Sequence, residues 1–388
     1  MFLLQALGSN GSGQLGIGHK EDVSTPQPVL LPASLTLPTT TTTTTTQPPE
    51  LRRIVAGGNH TLLVLSSGDL LSSGDHTTGA CGRRVVAVAA AAIDTTTHEK
   101  QTPPTPEFRP VDLSPLPEGS RKVKHVAATW AASVVVANDG GGATLDKVYS
   151  FGSGDKGELG LGAGTARALE PTQIPDFPPA GTRVVDIAAC MGHVVAVLSN
   201  GEAWGWGNGR KGQLGEPAGG AVCSPRRIEG VGFRVVRAVC GREFTCLFGE
   251  SETGEMVVLG SDKWGVRSQA PESVAGWKEV GAGWGSVFVL KEDGTLLSWG
   301  RNDHGQLARE GLGRVRRIAV GSEHALALTE AGDLMVWGWG EHGNCGPIRD
   351  NNGEKGQQNR IASIEQGMDI TMIGAGCATS WIAIDKPT

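Results

Sequence analysis

GSGDKGELG, residues 152–160, follows the apolar run VYSF and places glycines at 152, 154 and 157, the G-x-G-x-x-G spacing of a dinucleotide-binding loop. The same spacing returns at Gly207, Gly209 and Gly212 in WGNGRKGQLG and at Gly338, Gly340 and Gly343 in WGWGEHGNCG. One cofactor loop cannot account for three copies. A further match at Gly11, Gly13 and Gly16 falls out of phase once its QLG is aligned with the ELG of the first stretch. A phosphate loop also needs a following helix, whose N-terminal N–H groups and dipole hold the anion. LGLGAGTARALEP, closed by Pro171, is a poor helix. The glycines therefore read as a repeated turn, and no cofactor is expected.

The chain has 388 residues, 58 of them glycine, with ten Trp but one Tyr. That is about twice the usual glycine share and marks a turn-dominated sequence. A net charge of −6 without a basic tail offers no bulk electrostatics for nucleic acid or anionic membrane. The seven cysteines are scattered with no C-x-x-C pair, which argues against a disulfide framework and a zinc knuckle. The start, MFLLQALGSN, lacks a positive n-region, and the longest apolar run, VVAVAAAAI from Val85, is too short to span a bilayer. These features predict a soluble, reduced, intracellular protein, cytoplasmic with the nucleus as a second compartment.

A repeat organises nearly the whole chain: apolar strand, G-x-x-H-type corner, second strand, tight turn, third strand, glycine loop. Clear copies start at Arg52, Val184 and Val315, weaker ones at Val123, Phe233 and Trp277, and a seventh, MDITMIGAGCATSWIAI, stops with the chain. The turns SSGD, NDG, SNGE, ETGE, EDGT and EAGD supply the positive φ of tight hairpins. The strand and loop missing from the seventh copy stand at the other end, in FLLQALGSNGSGQLG, so residues 2–7 are predicted to pair with 379–384. Units that cannot bury a face alone close into a ring, which removes open sheet edges. The predicted fold is all-β, a seven-bladed β-propeller of about four strands per blade, as a single domain over residues 1–388. Leu15, Leu159, Leu214 and Leu307 of the QLG and ELG copies are expected to plug the gaps between blades. Residues 31–50 and 95–120, rich in Thr and Pro, read as flexible insertions outside the core.

The S-x-G-x-x-G-Q-L-G loop with the G-x-x-H-x-x-x-L strand resembles the regulator of chromosome condensation repeat family, over almost all of the chain outside those insertions. In plan the chain is most similar to the small fungal members of alpha-tubulin-suppressor type. That resemblance implies a non-enzymatic interaction module, a heterodimer with a small metal-carrying zinc-ribbon protein, and support of diphthamide synthesis on elongation factor two and of Elongator-dependent tRNA wobble-uridine modification. It also implies a mechanism, in which the propeller covers part of the partner near its metal. Two other roles occur in the family: nucleotide exchange on a small Ran-like GTPase, and chromatin binding.

His60, His193 and His324 share one repeat position, and a structural role bonded to backbone of the adjacent blade is expected rather than a metal site; Ala131, Phe244, Ser286 and Thr379 are read as its other copies. Trp204, Trp206, Trp299, Trp337 and Trp339 end repeat strands and read as blade packing, and no arginine-flanked tryptophan triplet supports a photoreceptor. No nucleophile elbow, catalytic carboxylate pair or metal cluster stands out, so no catalytic residue is assigned. Trp130, Trp264, Trp284, Asp303, His304, Glu341 and His342 lie in loops, depart from the repeat, and are the predicted partner contacts.

Overall fold

The computed structural model describes residues 2–36, 49–83, 105–118, 121–138, 146–347, 359–363 and 369–385. It contains seven antiparallel sheets arranged as the blades of a propeller. We number them by their inner strands: Leu51–Ala56 (blade 1), Val123–Ala128 (2), Val184–Cys190 (3), Arg237–Cys240 (4), Trp277–Ala282 (5), Val315–Val320 (6) and Asp369–Ala375 (7). Each inner strand touches the next, and that of blade 7 touches that of blade 1, which closes the ring.

Closure is made by the chain ends. Phe2–Gly8 lies between Thr379–Asp385 and Val23–Pro28 in blade 7, with Phe2 opposite Asp385, Leu3 opposite Ile384 and Gly8 opposite Thr379. The hairpin turns have the backbone their glycines announce, with φ of +82° at Gly68, +87° at Gly201 and +82° at Gly294. The NDG turn lies at the edge of the described residues, its aspartate and glycine outside them, as does the apolar run from Val85. No helix follows Gly157: its φ is +85° and an added Cβ would strike the backbone of Val222 in the next blade at 2.6 Å. The glycine loop is thus a close blade-to-blade crossing. Among the described residues no helix is long and apolar enough to cross a membrane.

Three details differ from the sequence reading. Blades 4 and 5 are three-stranded, with only an isolated Glu255–Ser273 bridge beyond the third strand of blade 4. Leu15, Leu159 and Leu214 are buried, a contribution of about 1.5–3 kcal/mol each, but Leu307, in the three-stranded blade 5, is only partly buried. Cys81 and Cys345, both buried, stand at the same loop position in blades 1 and 6. Lastly, part of each Thr- and Pro-rich segment joins the core. Phe108, Val111, Leu113 and Leu116 are buried, Phe108 meets Trp381 edge-on at 5.9 Å, and Arg109–Pro110 is the outer strand of blade 1. Leu31 and Leu35, the latter in the short helix Ala33–Thr36, pack on the same cluster. The apolar residues of both segments stand alone among Pro and Thr, so no periodicity announces their burial. Residues 37–48 and 84–104 lie outside the described residues.

Candidate interaction face

The turns joining first to second strands and the glycine loops after third strands open on one face, since His60 pairs with Gly74, His193 with Gly207 and His324 with Gly338. This pairing also fixes the repeat phase: the blade 2 equivalent is Ala132, opposite Gly152, and Ala131 sits one residue outside it. The imidazoles are buried latches. Nε2 of His60 meets Ser133 Oγ at 2.9 Å, that of His193 meets Thr245 Oγ1 at 3.0 Å and that of His324 meets Ser380 Oγ at 2.9 Å, in each case a hydroxyl of the following blade. The partner is thus a side-chain hydroxyl of the adjacent blade rather than its backbone, and Ser133 and Ser380 in turn donate to the carbonyls of Ala80 and Asn344 in the histidine's own blade. Burial pushes all three imidazoles down to about 4. The turn glycine of the G-x-x-H corner has its own reason: a Cβ on Gly57 or Gly321 would lie 2.3 Å from the ring of His60 or His324.

Around the mouth of the central channel the turns are tied to each other. Gly58 N donates to Trp130 O, Trp130 N to Met191 O, Arg242 N to Trp284 O, Trp284 N to Ser322 O, and Ser322 N to Gly376 O, all within 3.1 Å. Trp130 of blade 2 and Trp284 of blade 5 lie across this mouth with ring centroids 6.3 Å apart. Trp130 crosses above Gly58, where a Cβ would meet the indole at 2.5 Å, and keeps 40% of its surface exposed. The Arg242 guanidinium sits 5.5 Å from the Trp284 ring.

A second group adjoins the first. Trp264, at φ +71°, rests over the Gly285 turn beside Trp284 and is 40% exposed. A left-handed backbone is uncommon for a bulky residue, and such outliers gather at functional sites. Arg301 lies 4.6 Å from the Trp264 ring and 5.9 Å from that of Trp339, while His304 stacks on Trp339 at 4.1 Å with the planes 5° apart. Arg301 is clamped by Asp303, at 2.7 Å, and by Glu323. Gln306 Nε2 donates to both carboxylates, at 3.0 and 2.9 Å. The hydrogen bond to Asp303 raises the Arg301 pKa, and its counterpart holds the Asp303 carboxyl well below the usual carboxylate range. A cleft of about 290 Å³ between Trp264 and Trp284 joins the two groups.

Five of the seven predicted contact residues thus fall in one patch: Trp130, Trp264, Trp284, Asp303 and His304. His342 is exposed and bonded through Nδ1 to Asp22 Oδ2 at 2.8 Å, bridging blades 6 and 7, and Glu341 beside it is exposed and makes none of the ring or ion-pair contacts of the patch. Arg301 and Trp339 also belong to the patch, although the sequence does not mark Arg301 and points to blade packing for Trp339. Trp206 and Trp337 are fully buried and Trp299 is 6% exposed, as blade packing requires, but Trp339 is 37% exposed. It follows the Gly338 that pairs with His324, as Arg301 follows the Gly300 that pairs with Ser286. Both occupy the first loop position, where Ser9 and Ser153 stand in other copies. Rigid aromatic and arginine side chains on short, mutually bonded turns are the composition of a protein-binding hot spot. Among the described residues no group of three or more His, Cys, Asp or Glu is arranged to hold a metal.

Residues 4–382 match the family model of the RCC1-like domain. An RCC1 repeat-containing protein of Schizosaccharomyces pombe is 29% identical over 268 residues, 66% of this chain and 72% of that protein. The ultraviolet-B receptor of Arabidopsis thaliana is 31% identical over 213 residues, 52% of this chain and 46% of the receptor. Among solved structures, Saccharomyces cerevisiae Prp20p superposes with a TM-score of 0.74 at 21% identity, covering 100% of this chain and 92% of that one, a likeness of fold. The chain belongs to the RCC1-like domain family.

Proposed function

We propose that this propeller is a non-enzymatic docking module whose patch around Trp264, Trp284 and Arg301 receives a small zinc-ribbon protein, the pair supporting diphthamide synthesis on elongation factor two and Elongator-dependent tRNA modification. The partner's identity rests on the resemblance of plan to the small fungal members of the family. Its place on the molecule rests on one observation: five side chains that break the repeat converge on one rigid face. The loops are held by backbone bonds before any partner arrives, so little conformational freedom is lost on docking. Isothermal titration of the purified chain with the zinc-loaded zinc-ribbon protein tests this. Saturable binding is expected, weakened about 30-fold or more by Trp264→Ala, as loss of a hot-spot anchor of about 2 kcal/mol implies. No binding, or binding indifferent to Trp264 and Trp284, overturns it.

Nucleotide exchange is a second reading, favoured by a mouse relative named as a secretion-regulating guanine nucleotide exchange factor, 26% identical over 213 residues. Accelerated nucleotide release from a small GTPase in stopped flow would support exchange over the zinc-ribbon assignment.

A further inference from the structure

The central channel holds a second candidate site, at the end opposite the tryptophans. The cavity, about 260 Å³, runs from Arg53, Asp186 and Arg237 at the starts of the inner strands to Trp130 and Trp284 at the turns. At its far end the residue before the first inward apolar side chain of an inner strand is Arg53 in blade 1, His125 in 2, Asp186 in 3, Arg237 in 4, Glu279 in 5 and Arg317 in 6. The two carboxylates are already committed. Asp186 accepts from Ala238 N at 3.0 Å and from Arg237 at 3.2 Å, and Glu279 accepts from Ile318 N at 2.9 Å. Each therefore latches its blade to the next.

Arg53 has no such partner. It lines the channel, is partly exposed to the water there, and makes no hydrogen bond or ion pair among the described residues. Burial lowers its pKa; the attraction of Asp186 opposes this, and Arg237 and Arg52 lower it further. His125 Nε2 in the neighbouring blade is also buried without a partner, and burial together with Lys124, Arg53, Arg52 and Arg237 pushes its imidazole down to about 4, so the ring is neutral near pH 7. A partly buried guanidinium that no protein acceptor occupies leaves its donors to the channel, and a planar donor fork matches a tetrahedral oxyanion.

We propose that this end of the channel binds a small phosphate-class oxyanion, with Arg53 as its principal ligand and Arg237 lending positive potential. The ligand enters from the Arg53 end, because Trp130 and Trp284 lie across the other mouth. The site is separate from the interaction face, and a failure of either proposal leaves the other standing.

The test is titration of the full chain with inorganic phosphate in a phosphate-free buffer at constant ionic strength, followed by calorimetry and by 31P line broadening. One saturable site is expected, weakened at least ten-fold by Arg53→Gln and unchanged by Arg210→Gln on the opposite face. Without phosphate the Arg53→Gln protein should melt close to the wild-type temperature, since no protein group loses a partner. Absence of saturable binding, equal affinity in Arg53→Gln, or a destabilised variant without phosphate dependence overturns the proposal. Tighter binding of acetate than of phosphate overturns the phosphate class.

Discussion

Blades 3 and 6 obey the repeat, whereas blades 4 and 5 break it. In blade 3 the third strand ends on a fully buried Trp206, His193 latches to Thr245 of the next blade, and Leu214 fills the gap between them. Blade 6 repeats the scheme with Trp337, His324 and Cys345. Blades 4 and 5 have Phe244 and Ser286 in place of the histidine, lack the fourth strand, and carry Trp264, Trp284 and Arg301 on the face. Positions that close a ring of like units have few acceptable side chains. Trp264 and Trp206 thus separate surface from scaffold within one residue type.

The contrast breaks most visibly at the tryptophans. Trp206 donates to the carbonyl of Glu158 at 3.0 Å and packs edge-on against Phe177, so Trp206→Ala should cost about 3–5 kcal/mol in urea unfolding. Trp264→Ala should cost less than about 1 kcal/mol while reducing partner affinity. Equal losses of stability would erase the distinction between the two regions.

Acid sharpens it next. The latch imidazoles have folded-state pKa values of about 4 against about 6.5 when unfolded, so between those values the unfolded chain binds more protons. Their stabilisation is complete above about pH 6.5 and falls as the pH drops through this window, by up to about 3 kcal/mol per histidine. Urea midpoints at pH 7 and pH 4.5 should differ accordingly, and His193→Phe, patterned on Phe244, should remove its share of the slope. A variant as acid-sensitive as the parent would contradict the latch.

Most of the scaffold is legible in the sequence because it is repeated. Glycines at turns and crossings, the histidine corner and the closing strand at residues 2–8 all announce themselves by recurrence. What recurs once is harder to read. Phe108 and Leu116 reach the core from a Pro- and Thr-rich segment with no period, and Leu307 looks like its fellows although it stands in a three-stranded blade and is only partly buried. On the face, Trp264 and His304 stand out as breaks in the pattern, but Trp339 hides in WGWG, where one residue of phase separates a buried strand end from an exposed loop. Arg301 gives no signal until the pairing of Ser286 with Gly300 fixes that phase.

The most direct test of the claim that blades 4 and 5 form the docking face is a hydrogen-exchange footprint of the chain with and without the zinc-ribbon protein. Protection is expected at residues 261–269, 283–286 and 301–306, with the hairpin turns at Gly201 and Gly294 on the opposite face unchanged. Protection confined to those hairpin turns would contradict it.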